Sequence, residues 1–197
     1  MKLPRLRSLL TLAAFIAPVL AHAHPGHEGG HDLEWDFGSG FAHPLLGWDH
    51  LAAMLAVGIW AAQLGGRARW LVPAAFVTVM ALGAALGRSG VMIPGVEQTI
   101  AASVLILGLL IAAAVKLPVG AGMAIVGLFA AFHGFAHGAE MPATAGTLGY
   151  GAGFVLATAL IHAAGVGLGA LAARRSEKVA RFAGWAIAAC GVALFAA

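Results

Sequence analysis

Apolar runs of about twenty residues recur along most of this chain, separated by short breaks that carry glycine, proline or a few charges. Each run is long enough to cross roughly 30 Å of hydrocarbon as a helix. They predict helices at about 44–64, 69–87, 97–115, 118–138, 146–173 and 179–196. The short connections predict that consecutive helices are antiparallel neighbours, with turns at VMIPG and MPATAG around Pro94 and Pro142. Ahead of the runs, Lys2, Arg5 and Arg7 precede an apolar stretch from Leu9 to Leu20 and the triplet Ala21-His22-Ala23. That order reads as a cleaved signal peptide over 1–23, so that the mature chain begins at His24. The alternative is an uncleaved first helix. The expected organisation is a signal peptide at 1–23, a His-rich outer segment at 24–43 and a transmembrane domain at 44–197. The fold class is all-α, a polytopic bundle of six transmembrane helices.

Composition agrees with the pattern. Hydrophobic residues make up 61% of the 197, charged residues 10%, and the mean hydropathy is +0.92; an average soluble chain has about 25% charged residues. The formal charge of +3 could suggest nucleic acid, but the basic residues sit at the ends of apolar runs without interleaved aromatics. No nucleic-acid partner is expected, and membrane lipid is the surrounding partner. The basic residues read instead as orientation signals: Arg67, Arg69, Lys116, Arg174, Arg175, Lys178 and Arg181 fall in connections on one side, Arg88 on the other. The positive-inside rule then places both mature ends outside the cytoplasm. Cys190 stands alone, which excludes an intrachain disulfide and a Cys-rich metal site. Pairs such as Gly83/Gly87, Gly134/Gly138, Gly149/Gly153 and Gly165/Gly169 have the spacing that lets helices approach closely in lipid. Trp48, Trp60, Trp70 and Trp185 fit an interfacial aromatic belt.

Ionisable groups at membrane depth are costly, so the few present are functional candidates. His43, Asp49 and His50 lie in HPLLGWDH at the start of the first helix; His133, His137 and Glu140 lie in FHGFAHGAE at the end of the fourth; Glu97 opens the third. All are expected toward the outer face, whereas His162 lies deeper along the fifth. His133, His137 and Glu140 are spaced i, i+4 and i+7, so they share one helical face if the helix continues that far. Imidazole nitrogens with carboxylate oxygens suit a first-row divalent metal such as nickel, cobalt or zinc rather than magnesium or calcium. Pro44 and Gly47 mark an irregular backbone, which at membrane depth is tolerated where it lines a cavity. The bland readings are interhelical hydrogen bonding for His133 and His137, capping for His43 and Glu97, and a satisfied buried histidine for His162. The outer segment adds His24, His27, Glu28, His31 and Asp32, a short His-rich tract of metal-capturing type.

With these motifs the chain resembles the HupE/UreJ family of bacterial membrane proteins, over its whole length. The resemblance implies permease-type movement of nickel, or of cobalt, inward across the bacterial cytoplasmic (inner) membrane, with the mature N- and C-termini periplasmic. It also implies an indirect link to hydrogenase or urease maturation. By that match His43, Asp49, His50, His133, His137 and Glu140 handle the metal; His24, His27, His31 and His162 are further candidates on their own chemistry and position, not by the match. HPLLGWDH is also similar to the His-x4-Asp-His signature of the larger nickel/cobalt transporter family, but has five residues between His43 and Asp49 instead of four. The metal is a transported substrate, and no prosthetic group is expected. A homo-oligomer is left open. No G-x-x-x-x-G-K-[ST] loop is present, so a facilitated or ion-coupled route is expected. Two other readings are an intramembrane metal-dependent hydrolase, with Asp49 or Glu140 as base, and a b-type haem protein, which needs histidines facing one another at matched depth.

Overall fold

The computed structural model describes residues 36–141 and 146–196. The expected signal peptide and His24, His27 and His31 lie outside the described residues. Within them all regular structure is helical: α1 (Phe37–Leu46), α2 (Trp48–Leu64), α3 (Ala68–Gly87), α4 (Val96–Ala112), α5 (Val119–Glu140), α6 (Thr147–Arg175) and α7 (Glu177–Ala196). Helices α3, α5, α6 and α7 are long and apolar enough to cross a membrane, and α1 with α2 would make a fifth span if taken as one bent unit. Helix α4 is apolar and 17 residues long. Leu82, Leu128, Leu148, Phe182 and Trp185 lie on the outside of the bundle. An outer surface this apolar belongs against lipid rather than water.

The first expected helix is corrected. It begins at Phe37, before the anticipated start, and breaks at Gly47, so that α1 and α2 lie 80° apart. Asp36 starts α1 with a reciprocal cap: its Oδ1 accepts from the Ser39 N–H at 2.8 Å, and its own N–H donates to Ser39 Oγ at 3.0 Å. Pro44 lies inside α1 rather than at a helix start. Gly47 is extended (φ −82°, ψ 111°), which interrupts the helical path. Its N–H still donates to the His43 carbonyl at 3.2 Å and its carbonyl accepts from Leu51 N–H at 2.9 Å, so the break leaves its own backbone satisfied.

The expectation that consecutive helices pack as neighbours holds for α2 with α3, α4 with α5 and α6 with α7, but these are not the main contacts. The most extensive pairings are α3 with α5, α4 with α7, and α2 and α1 with α6. Close backbone approach explains the choice. A Cβ at Gly83 or Gly87 of α3 would collide with the Ala131 or Phe135 carbonyl of α5, and one at Gly134 or Gly138 of α5 would collide with the Met80 or Ala84 carbonyl of α3. Gly165 and Gly169 of α6 meet the α2 backbone in the same way, and Gly108 of α4 meets α7. Dispersion and interhelical contact, not exclusion of water, hold helices together in lipid, so the glycine faces select partners that chain order does not.

Trp60 is the third correction. Instead of joining an interfacial belt it is fully buried, and its Nε1–H donates to the Val115 carbonyl at 3.2 Å. Gln63 Nε2 donates to the Ile111 carbonyl at 3.3 Å, and Lys116 Nζ donates to the Gln63 carbonyl. These bonds tie the end of α2 to the α4–α5 connection, where Ala114 takes a left-handed conformation (φ 52°) rare for a residue with a side chain. Trp48, Trp70 and Trp185 are exposed, as a belt requires.

Candidate metal centre

The break at Gly47 aims α1 and α2 at one point from different directions. His43 sits in the last turn of α1 and His50 in the first turn of α2. A side chain at position 47 would press within 3.1 Å of Asp49 Oδ1 and 3.2 Å of His50 Nδ1, so the glycine leaves room for that pair to fold back. Helix α5 runs through to Glu140, which places His133, His137 and Glu140 on one face as their spacing requires. The start of α6 closes the far wall with Tyr150 and Phe154.

Four imidazoles meet there. Ring centroids are 4.7 Å apart for His43 and His137, 4.4 Å for His50 and His137, 6.2 Å for His43 and His50, and 5.2 Å for His50 and His133. One potential ligand atom from each of His43, His137 and Glu140 lies within 4.8 Å of the other two. The mouth is formed by Glu140, whose side chain is 58% exposed, whereas that of His137 is 6% exposed. At 4.0 Å from His137 Nδ1, Glu140 Oε2 is too far to orient that ring by a hydrogen bond. It is placed to share a bound cation with it instead.

Asp49 acts one step behind. Its Oδ1 lies 2.6 Å from His50 Nδ1 and accepts the His50 backbone N–H at 2.8 Å. A carboxylate on Nδ1 fixes the proton there and leaves Nε2 as the basic nitrogen, the usual arrangement behind a metal-binding histidine. His133 is set likewise: Nδ1 lies 3.0 Å from the Phe129 carbonyl, so it donates there and Nε2 carries the lone pair. Nε2 of both histidines, and both ring nitrogens of His137, are buried without a hydrogen-bond partner. Each such buried atom costs about 1–3 kcal/mol. A fold retains several together where they serve a purpose other than stability.

Of the other candidates, Glu97 is exposed in the first turn of α4 and is not one of the three residues whose ligand atoms lie within 4.8 Å of one another. His162 is not in the cluster either. It is buried farther along α6, and the Phe76 ring of α3 contacts both it and His133, with centroid distances of 5.0 Å and 5.6 Å. Sequence reasoning missed Tyr150, Phe154 and Phe76. A signal for two of them was present, since Tyr150, Phe154, Thr158 and His162 follow one another at i+4 and form one stripe on α6. Phe76 had none, being one aromatic among many apolar residues.

What this arrangement can do chemically is bind a borderline transition-metal cation through neutral nitrogens with a carboxylate at the rim. Comparison with known proteins follows the same line. The chain matches the family described as "HupE / UreJ protein" over residues 11–194. It is 47% identical over 185 residues to "Protein HupE" of Rhizobium leguminosarum bv. viciae, an alignment spanning 93% of this chain and 94% of that protein. No solved structure matches it. A match of this extent, through both histidine motifs and nearly all of the helices that carry them, shows that the chain belongs to the HupE/UreJ family.

Proposed function

We propose that this protein is a permease that moves a divalent transition metal, nickel first and cobalt second, from the outer face of the bacterial cytoplasmic membrane inward. The metal is its substrate, and it supplies enzymes such as hydrogenase or urease. The observation that carries this reading is the convergence of His43, His50, His133 and His137 from three helices, with Asp49 orienting His50 and Glu140 at the mouth. A closed structural site would bind its ion with a full set of fixed ligands. Here a carboxylate at an exposed rim leads to rings of increasing burial, an order that favours capture followed by transfer. The protein is not an enzyme in this reading. The hydrolase alternative loses one of its two candidate bases, because Asp49 is engaged by His50 and only Glu140 is left for that role.

The proposal includes six spans, counting α1 with α2 as one and α4 as another. At 17 residues α4 is at the lower limit of the roughly 17–25 that cross a bilayer as a helix. Cleavage before His24 and the excess of Arg and Lys in one set of connections put both mature ends in the periplasm. His24, His27 and His31 then belong to a metal-capturing segment on the outer side of the membrane. The test is nickel-63 accumulation in cells lacking other nickel importers, with cobalt and zinc as competitors. Wild-type protein raises accumulation and His133→Ala abolishes the gain. Uptake undiminished in His133→Ala at normal protein level sinks the pathway.

A further inference from the structure

We propose that His162 is a second, inner binding station for the same metal, reached from the outer cluster by passage beside the ring of Phe76. This rests on the uptake reading above and adds to it a site outside the outer cluster.

His162 is 2% exposed, and neither Nδ1 nor Nε2 has a hydrogen-bond partner. Thr158, one turn earlier on the same face of α6, is fully buried with its hydroxyl also unpartnered. The two groups do not satisfy one another, so this is not a closed hydrogen-bonding pair of the kind that settles a buried histidine in a core. A neutral imidazole with a hydroxyl oxygen one turn away is a sparse donor set for a first-row cation, weaker than the outer group of imidazoles and a carboxylate.

Position makes that weakness useful. His133 presents an unpartnered Nε2 at the inner limit of the outer cluster, and the Phe76 ring meets both the His133 and the His162 rings edge-on, at 5.6 Å and 5.0 Å. One aromatic ring therefore contacts both buried imidazoles, and an ion passing from one station to the other would move beside it. Movement of an ion requires sites strong enough to accept it and weak enough to release it, in series. His162 also forms part of the wall of a groove of about 330 Å³ between α3 and α6, half-open to the surface of the bundle and lined mostly by apolar side chains, which extends to Arg69 and Trp70 at the start of α3. That is the end of the bundle away from the outer cluster.

The test uses full-length protein in cells lacking other nickel importers, with membrane levels matched. Initial rates of nickel-63 uptake are measured across concentration, alone and against cadmium or zinc. His162→Ala is expected to lower the maximal rate tenfold or more with the KM near its wild-type value, because capture occurs at the outer cluster. His162→Cys replaces an imidazole with a softer thiolate, so uptake persists and inhibition by cadmium strengthens at least fivefold. A merely structural histidine would not alter the competition profile when replaced. Wild-type rates in His162→Ala overturn the proposal, as does a His162→Cys protein whose cadmium inhibition equals that of the wild type. Should His162→Ala not accumulate, His162→Cys decides alone. Absence of uptake by the wild-type protein would refute the permease reading itself, whereas wild-type uptake with indifferent His162 variants refutes only the inner station.

Discussion

Removing the charge of Asp49 while keeping its shape isolates what that carboxylate does for the outer cluster. In Asp49→Asn an oxygen can stay within reach of His50 Nδ1, which is 2.6 Å away in the native protein. An ion on His50 Nε2 would lie about 7 Å from the carboxylate, given a metal–nitrogen distance of about 2 Å. At an effective dielectric of about 20 a +2/−1 pair at that distance attracts by roughly 5 kcal/mol. Desolvation of the carboxylate offsets part of this. Losing the partner behind a metal-binding histidine typically costs about 10–100-fold in affinity, or about 1.4–2.8 kcal/mol. The assay is the initial rate of nickel-63 uptake across concentration, with protein level in the membrane matched. The expected KM is about 10–100-fold above wild type with the maximal rate retained, because His43, His50, His133 and His137 all remain. An unchanged KM at wild-type protein level refutes the placement of Asp49 behind a metal-binding imidazole.

Glu140→Gln keeps an oxygen at the mouth but no charge, and is expected to raise the KM about tenfold while leaving the maximal rate intact; loss of rate alone would place Glu140 elsewhere on the path. Protons compete with metal for the imidazole nitrogens, so the KM for nickel should rise as the external pH is lowered; a KM that falls on acidification excludes neutral histidines as the capturing ligands. Gly134→Val should destabilise the α3–α5 contact by about 1–3 kcal/mol, because its Cβ collides with the Met80 carbonyl. Reduced accumulation or a lower Tm in detergent reads this out, with Gly120→Ala, whose Cβ meets open space, as the neutral control.

Several features depended on chain-local physics and were legible in order along the sequence. Apolar runs long enough to cross hydrocarbon set the positions of α3 to α7 to within a few residues, since backbone groups in lipid have to be satisfied inside the segment. The i, i+4, i+7 spacing of His133, His137 and Glu140 determined a shared face, because the helix period is the same wherever the helix lies. HPLLGWDH announced an irregular backbone, but not its form. Whether Pro44 or Gly47 breaks the helix depends on which residue can turn without leaving backbone groups orphaned, and Gly47 does so with His43 and Leu51 as its partners.

Tertiary structure decided the rest. Which helices touch depends on which glycine faces meet, and that is a property of two surfaces, so α3 found α5 and α4 found α7 across intervening chain. The distinct roles of Asp49 and Glu140 were invisible in a string where both are acids near histidines; only the fold turns one onto His50 Nδ1 and leaves the other at the mouth. The contact of Phe76 with both His133 and His162 is the clearest case, because nothing local marks that phenylalanine. Periodicity and hydropathy are one-dimensional quantities that a sequence states by itself, whereas the meeting of side chains from α1, α2, α3, α5 and α6 is a matter of distance in three dimensions, settled only when the bundle closes.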